Sequence, residues 1–187
     1  MSDADNNRRT IIMRTVRTKV YKFEELTTEA QNKAIQSFGD INVDYDWWNS
    51  VYDDAEQIGL EIKEFNIDRG SYCKGEFIYP AYDVANKIKE NHGQTCETYK
   101  TAIAFIAEWD ALVVKHSDGI TTDKVAEDND YEFDQEAEDI ENEFLKSICE
   151  DYRIMLSKEY DYLTSNEAII DSIKANEYEF TKEGNQF

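Results

Sequence analysis

The chain has 187 residues, enough to bury a hydrophobic core without staples, and its twelve tyrosines, nine phenylalanines and three tryptophans exclude a largely disordered tract. Forty-one acidic residues against twenty lysines and arginines give a net charge of −21, which disfavours nucleic acid and anionic membrane as partners and favours basic proteins, polyamines and divalent cations. Three widely spaced cysteines, Cys73, Cys96 and Cys149, are an odd number and exclude a disulfide framework, so they read as buried reduced thiols.

Residues 1–9 form a polar tail without the apolar run of a signal segment, which predicts a cytoplasmic protein. From Arg14 to Phe23 the chain alternates and is rich in Thr, Val, Tyr and Phe, the pattern of a strand. Arg8, Arg9, Arg14, Arg17, Lys19 and Lys22 make residues 1–22 the one clearly basic part of the chain. Thr27 or Thr28 caps a short helix whose stripe is Ala30, Ala34, Ile35 and Phe38, with Leu26 as a staple and Gly39 as the stop. A second helix follows Asp44 as its cap. Trp47, Val51, Ala55 and Ile58 share one face, and Gly59 ends it.

Leu60 to Asp68 reads as a strand in which Leu60 and Ile62 alternate and Phe65 and Ile67 resume one position out of step, predicting a bulge near Lys63 and Glu64. A turn at Asp68–Ser71 returns the chain into a strand from Tyr72 to Ile78. Pro80, the sole proline, suits the first turn of a helix running to Asn91 with Val84, Ala85 and Ile88 inward. A fourth helix begins near Thr95, with the stripe Tyr99, Ala102, Ile103, Ile106, Trp109 and Val113. Lys115 to Ala126 reads as a loop. The most apolar stretch, Ala102 to Val114, carries Glu108 and Asp110 and is too short to span a bilayer. A long helix over Tyr131 to Tyr162 carries Phe133, Ala137, Ile140, Phe144, Ile148, Tyr152 and Met155 on one face. A short helix covers Asn166 to Ala175, and Tyr178 to Thr181 is a candidate last strand.

These elements predict one α+β domain over residues 10–187: a small, mainly antiparallel sheet (N-terminal strand, central hairpin, C-terminal strand) covered by about six helices. The sharpest feature is the run Glu127, Asp128, Asp130, Glu132, Asp134, Glu136, Glu138, Asp139, Glu141 and Glu143, which contains no Lys or Arg. On a helix these acids recur about every 2.5 Å along the axis, comparable to the ~1.7 Å charge spacing of duplex DNA. Such a surface fits a site built for a phosphate backbone, or a basic toxin. The bland alternative is a solvated helix face whose acids favour the helix N-terminus.

Other patterns are weaker. Asp128, Asp130, Glu132 and Asp134 alternate like calcium-loop ligands. Phe133 stands where that loop needs Gly, however, and Asp139 where it needs a bidentate Glu. Gly70 and Gly75 have phosphate-loop spacing, but Glu76 replaces the required Lys. Cys73 with His92 shows no orienting pattern for a nucleophile, and His92 with Cys96 lacks a second ligand pair for zinc. No cofactor and no metal are expected. Asp44-Tyr45-Asp46-Trp47-Trp48 mixes carboxylates with aromatics. Two adjacent tryptophans cannot share one helix face, which sends Trp48 to a neighbouring element or a contact surface.

Four runs carry a family resemblance: Val20–Thr27 with Glu29–Ile35, Asp40–Trp48, Phe65–Tyr72 and Ala175–Thr181. They resemble small acidic proteins of phages and bacterial mobile elements that are often labelled "antitoxin of toxin–antitoxin stability system". The resemblance implies a bacterial cytosol and an inhibitor or antitoxin role, and it carries over no catalytic residue. Together these readings predict a non-enzymatic acidic protein that engages and inhibits a basic toxin, nuclease or DNA-binding protein. The predicted contact residues are Glu127, Asp128, Asp130, Asp134, Glu136, Glu138, Asp139, Glu141 and Trp48. The rival expectations are a metal-assisted hydrolase built on Asp44, Asp46 and Asp68, and a DNA-binding antitoxin using Arg8, Arg9, Arg14 and Arg17.

Overall fold

A computed structural model describes residues 17–117 and 126–187, with side chains for 17–116 and 131–187. The 1–9 tail and most of the expected 115–126 loop lie outside the described residues. Among those described, six α-helices and four short strands make an α+β fold. The strands form two separate two-stranded antiparallel sheets instead of a single small one. The chain divides into two compact units, one containing 17–39 and Ile169–Phe187, the other Asp40–Ala168.

In the first unit, β1 (Tyr21–Lys22) pairs with β4 (Glu179–Phe180), Tyr21 opposite Phe180. Of the strand expected over 14–23, residues 14–16 lie outside the described residues, and of the rest only Tyr21–Lys22 is strand. The chain then closes into a 3-10 turn over Phe23–Glu25, where the Glu25 carboxylate accepts from the Lys22 amide at 2.8 Å. Helix α1 (Thr28–Ser37) is capped by Thr27, whose Oγ1 accepts from the Ala30 amide at 3.4 Å. Ala30, Ala34 and Phe180 are buried, and Phe23 and Phe38 lie edge-on to the Phe180 ring. Two-residue strands carry few ladder hydrogen bonds, so this aromatic packing is the main cohesion of the unit.

In the second unit the expected helix cap Asp44 is instead exposed in an irregular segment, and α2 (Asn49–Ile58) starts later, from Trp48. The buried Asn42 holds this segment by donating from Nδ2 to the Leu163 carbonyl at 2.9 Å, an anchor that replaces a helical start. Gly59 ends α2 at φ +92, and a Cβ there would stand 2.6 Å from the Tyr79 ring. Strands β2 (Leu60–Asn66) and β3 (Tyr72–Phe77) pair with a register shift between Ile62 and Glu64, the bulge that the broken alternation predicts.

Helix α3 (Ala81–Asn91) follows Pro80 and buries Ala81, Val84, Ala85 and Ile88. Helix α4 (Glu97–Ser117) presents a rotated stripe. Thr98, Ala102, Phe105 and Leu112 are buried, whereas the expected Val113 is 43% exposed. The phase is set by Phe105, which stacks on Phe144 of α5 with ring centroids 4.2 Å apart. Helix α5 (Ala126–Leu163) is about 57 Å long and begins five residues before the expected Tyr131. Of its expected stripe, Ala137, Phe144, Ile148 and Tyr152 are buried, and Phe144, Ile148 and Tyr152 join residues of α2, β2, α3 and α4 in one core. Helix α6 (Asn166–Ala175) has its predicted span. Among the described residues, no helix is long and apolar enough to cross a membrane.

Candidate functional site

The acids of α5 split into two rows because the helix repeats every 3.6 residues. Glu132, Glu136, Asp139 and Glu143 follow i, i+4, i+7, i+11 on one flank of the buried stripe; Asp134, Glu138 and Glu141 follow i, i+4, i+7 on the other. Glu127, Asp128 and Asp130 have side chains outside the described residues. Glu132, Asp134, Glu138, Asp139 and Glu143 are exposed, while Glu136 and Glu141 are half-buried at the base of the rows.

Intramolecular cations neutralise little of this charge. Lys115 of α4 reaches Glu136 at 2.5 Å, and Lys146 reaches Glu143 at 3.3 Å. The Lys115 ammonium holds the Glu136 carboxyl below the usual range. His116 Nε2 lies 3.9 Å from the same carboxylate, and the ring of Phe133 meets the imidazole edge-on. Asp134, Glu138, Asp139 and Glu141 make no ion pair with any described residue. Partial burial pushes the Glu141 carboxyl up, and the charge of Glu138 adds to the effect. At the same end of the helix pair, Tyr131 is 73% exposed, and Val113 and Val114 of α4 are also exposed, so apolar groups stand beside the acids.

Trp48 does not join this surface. It is half-buried, meeting Phe65 of β2 and its neighbour Trp47 edge-on, and Trp47 in turn meets Tyr160 at 5.4 Å. Tyr160 lies about 28 Å along the α5 axis from Glu141. Trp48 thus covers a neighbouring element, one of the two placements its sequence context allows. Asp44, Asp46 and Asp68 are each exposed. Among the described residues no three His, Cys, Asp or Glu side chains are arranged to hold a metal ion. Of the basic segment only Arg17, Lys19 and Lys22 are described; Arg8, Arg9 and Arg14 lie outside the described residues.

Two interior clusters escape sequence reasoning. In the first, the Tyr152 hydroxyl donates to Asp54 Oδ2 at 2.7 Å, Asp54 Oδ1 lies 3.7 Å from His92 Nε2, and His92 Nδ1 shares a hydrogen bond with Thr98 Oγ1 at 2.7 Å. This chain joins α2, the end of α3, and helices α4 and α5. It has the residue types of a hydrolase relay, but Thr98 and Tyr152 at its two ends are both buried. A nucleophilic hydroxyl must be presented to a substrate, so this relay is a structural clamp. One signal was legible: Asp54 sits three residues after Val51 and four before Ile58, on the inward face of α2.

In the second cluster, Cys73 of β3 packs against the core that contains Cys149 of α5. Cys149 is buried and Cys73 half-buried, whereas Cys96 is exposed, contrary to the expectation of three buried thiols. Cys73 does not pair with His92. No protein-family model, curated protein or solved structure matches the chain.

Proposed function

We propose that the protein is a non-enzymatic binding protein that engages a basic protein partner, a toxin, nuclease or DNA-binding protein, through the α5 acidic rows. The reading rests on one observation: seven described acids between Glu132 and Glu143 meet only Lys115, Lys146 and the His116 ring among described residues. These seven recur about every 2.6 Å along the axis, a density that attracts cations strongly and speeds association at low salt. Exposed Tyr131, Val113 and Val114 supply apolar contact area beside the charge. The two rows flank a helix ridge, so the complementary partner surface is a basic groove that straddles α5. A cytoplasmic location in a bacterial host accords with this reading.

The test uses an arginine-rich peptide as the cationic probe, with the full-length protein at low and physiological salt. Replacing Glu138, Asp139 and Glu141 together by Lys should weaken binding at least ~10-fold at low salt. The control replaces Asp44, Asp46 and Asp83, three exposed acids elsewhere, by Lys, giving the same net charge. Equal losses in the two proteins would reduce the effect to net charge alone and overturn the assignment to α5.

A further inference from the structure

We propose that His116 is a proton-operated latch between α4 and α5: on gaining a proton, its Nε2 bonds to Glu136 and loosens the hold of the acidic rows on a cation. The regulatory half rests on the reading of α5 as a cation-binding surface; the latch itself does not. Three observations carry it. His116 lies in the last turn of α4 with a side chain only 13% exposed, and its Nε2 is buried without a hydrogen-bond partner among the described residues. That atom stands 3.9 Å from Glu136 Oε2, about 1 Å too far for a hydrogen bond. The other carboxylate oxygen, Oε1, is held by Lys115 at 2.5 Å, and Phe133 closes on the imidazole edge-on with ring centroids 5.4 Å apart.

A buried polar atom without a partner is uncommon and costs stability. In a neutral ring with its proton on Nδ1, Nε2 is a lone pair facing a carboxylate oxygen, and two acceptors do not bond. The 3.9 Å gap fits that form. The imidazolium carries N–H at both nitrogens, so Nε2 becomes a donor aimed at a charged acceptor, and closing the gap makes a charge-assisted hydrogen bond. Histidine makes this change between about pH 5 and pH 8. Lys115 first, and the imidazole after it, hold the Glu136 carboxyl below its ordinary range, so the acceptor stays ionised over that interval. The charged groups around the ring are Glu136 from α5 and Lys115 from α4, and Glu132, one turn before Glu136, acts on the same ammonium. With the latch open, Glu136 Oε2 is left to a partner's guanidinium or ammonium. With it closed, that oxygen is filled and a positive charge is added beside the rows. Acid therefore releases the cationic partner, and by linkage a bound cation opposes protonation of His116.

The experiment follows the imidazoles of His92 and His116 in the full-length protein by NMR from about pH 5 to pH 8. The expected result is an Nε2 proton on His116 that becomes protected from solvent exchange as the ring charges, with the Glu136 carboxylate carbon moving at the same midpoint. In Glu136→Gln the protection should be lost. A His116 that charges without moving the Glu136 signal, or whose Nε2 proton exchanges freely, overturns the latch, and the wild-type titration decides even if a variant misfolds. The regulatory half is read with the arginine-rich peptide at low salt. From about pH 7.5 to pH 5.5, wild-type affinity should fall about threefold more than that of His116→Gln. Equal falls in the two proteins overturn regulation by His116. Peptide binding by neither protein at either pH would overturn the α5 reading and the regulatory half with it, and the NMR titration alone would then decide the latch.

Discussion

The hydroxyl of Tyr152, in the C-terminal half of α5, donates to Asp54 of α2 at 2.7 Å, and Tyr152 itself is fully buried. One side chain thus fills the core with its ring and supplies a hydrogen bond to a carboxylate with its tip. Burial, together with the hydrogen bond to Asp54 and its charge, pushes the phenol well up, so it remains a donor throughout the physiological range. Replacing Tyr152 by Phe keeps the ring and leaves Asp54 without this donor. The loss should be about 1–3 kcal/mol of unfolding free energy. Replacing it by Ala should cost about 3–5 kcal/mol, because a cavity is added. Urea denaturation of the three proteins checks both values, and equal stability of wild type and Phe variant would count against the bond.

Gly184 has φ +79, and a Cβ there would run into the Ala30 backbone of α1. Left-handed backbone and steric exclusion act at one position, so Gly184→Ala should destabilise the first unit by about 2 kcal/mol or more. The replacement removes no hydrogen-bonding group. Hydrogen exchange of the α1 and β4 amides should report the loss, and unchanged protection there would argue against it.

Asp151 of α5 accepts from Thr101 Oγ1 at 2.7 Å, yet burial raises its carboxyl above the usual value. The sign follows from proton linkage. With the folded pKa above the unfolded value of 3.8, the folded state holds the proton more tightly, and stability falls as pH rises through the folded pKa. Asp151→Asn keeps an acceptor for Thr101 and removes the charge. It should raise stability at neutral pH, by less than ~1 kcal/mol because the group is partly open to solvent. The advantage should vanish below the unfolded pKa. Thermal melts of both proteins from acid to neutral pH measure this, and a gap that widens at low pH would be the wrong sign.

Most elements were legible because their signals are local. The slip between Ile62 and Phe65 marked the bulge, Gly59 marked the stop of α2, and the spacing of Ala137, Phe144, Ile148 and Tyr152 marked the buried face of α5. Misreadings fell where a distant partner decided the outcome. Asp44 looked like a helix cap, but Asn42 bonded to Leu163 holds that segment irregular. Val113 matched helical spacing as well as Leu112 did, and the stacking of Phe105 on Phe144 selected the other phase. The same limit applied to the site: the acids were visible as a run, but their separation into two rows needed the helix and its buried face.

Composition, helical period and turn chemistry determined the acidic character, the α+β class and most element boundaries, since each depends on neighbours a few residues apart. Tertiary structure alone placed Tyr152 against Asp54, Thr101 against Asp151, and Trp48 away from the acids. The two hydrogen bonds join residues tens of positions apart, and only the packing of α2 and α4 on α5 brings their side chains within reach.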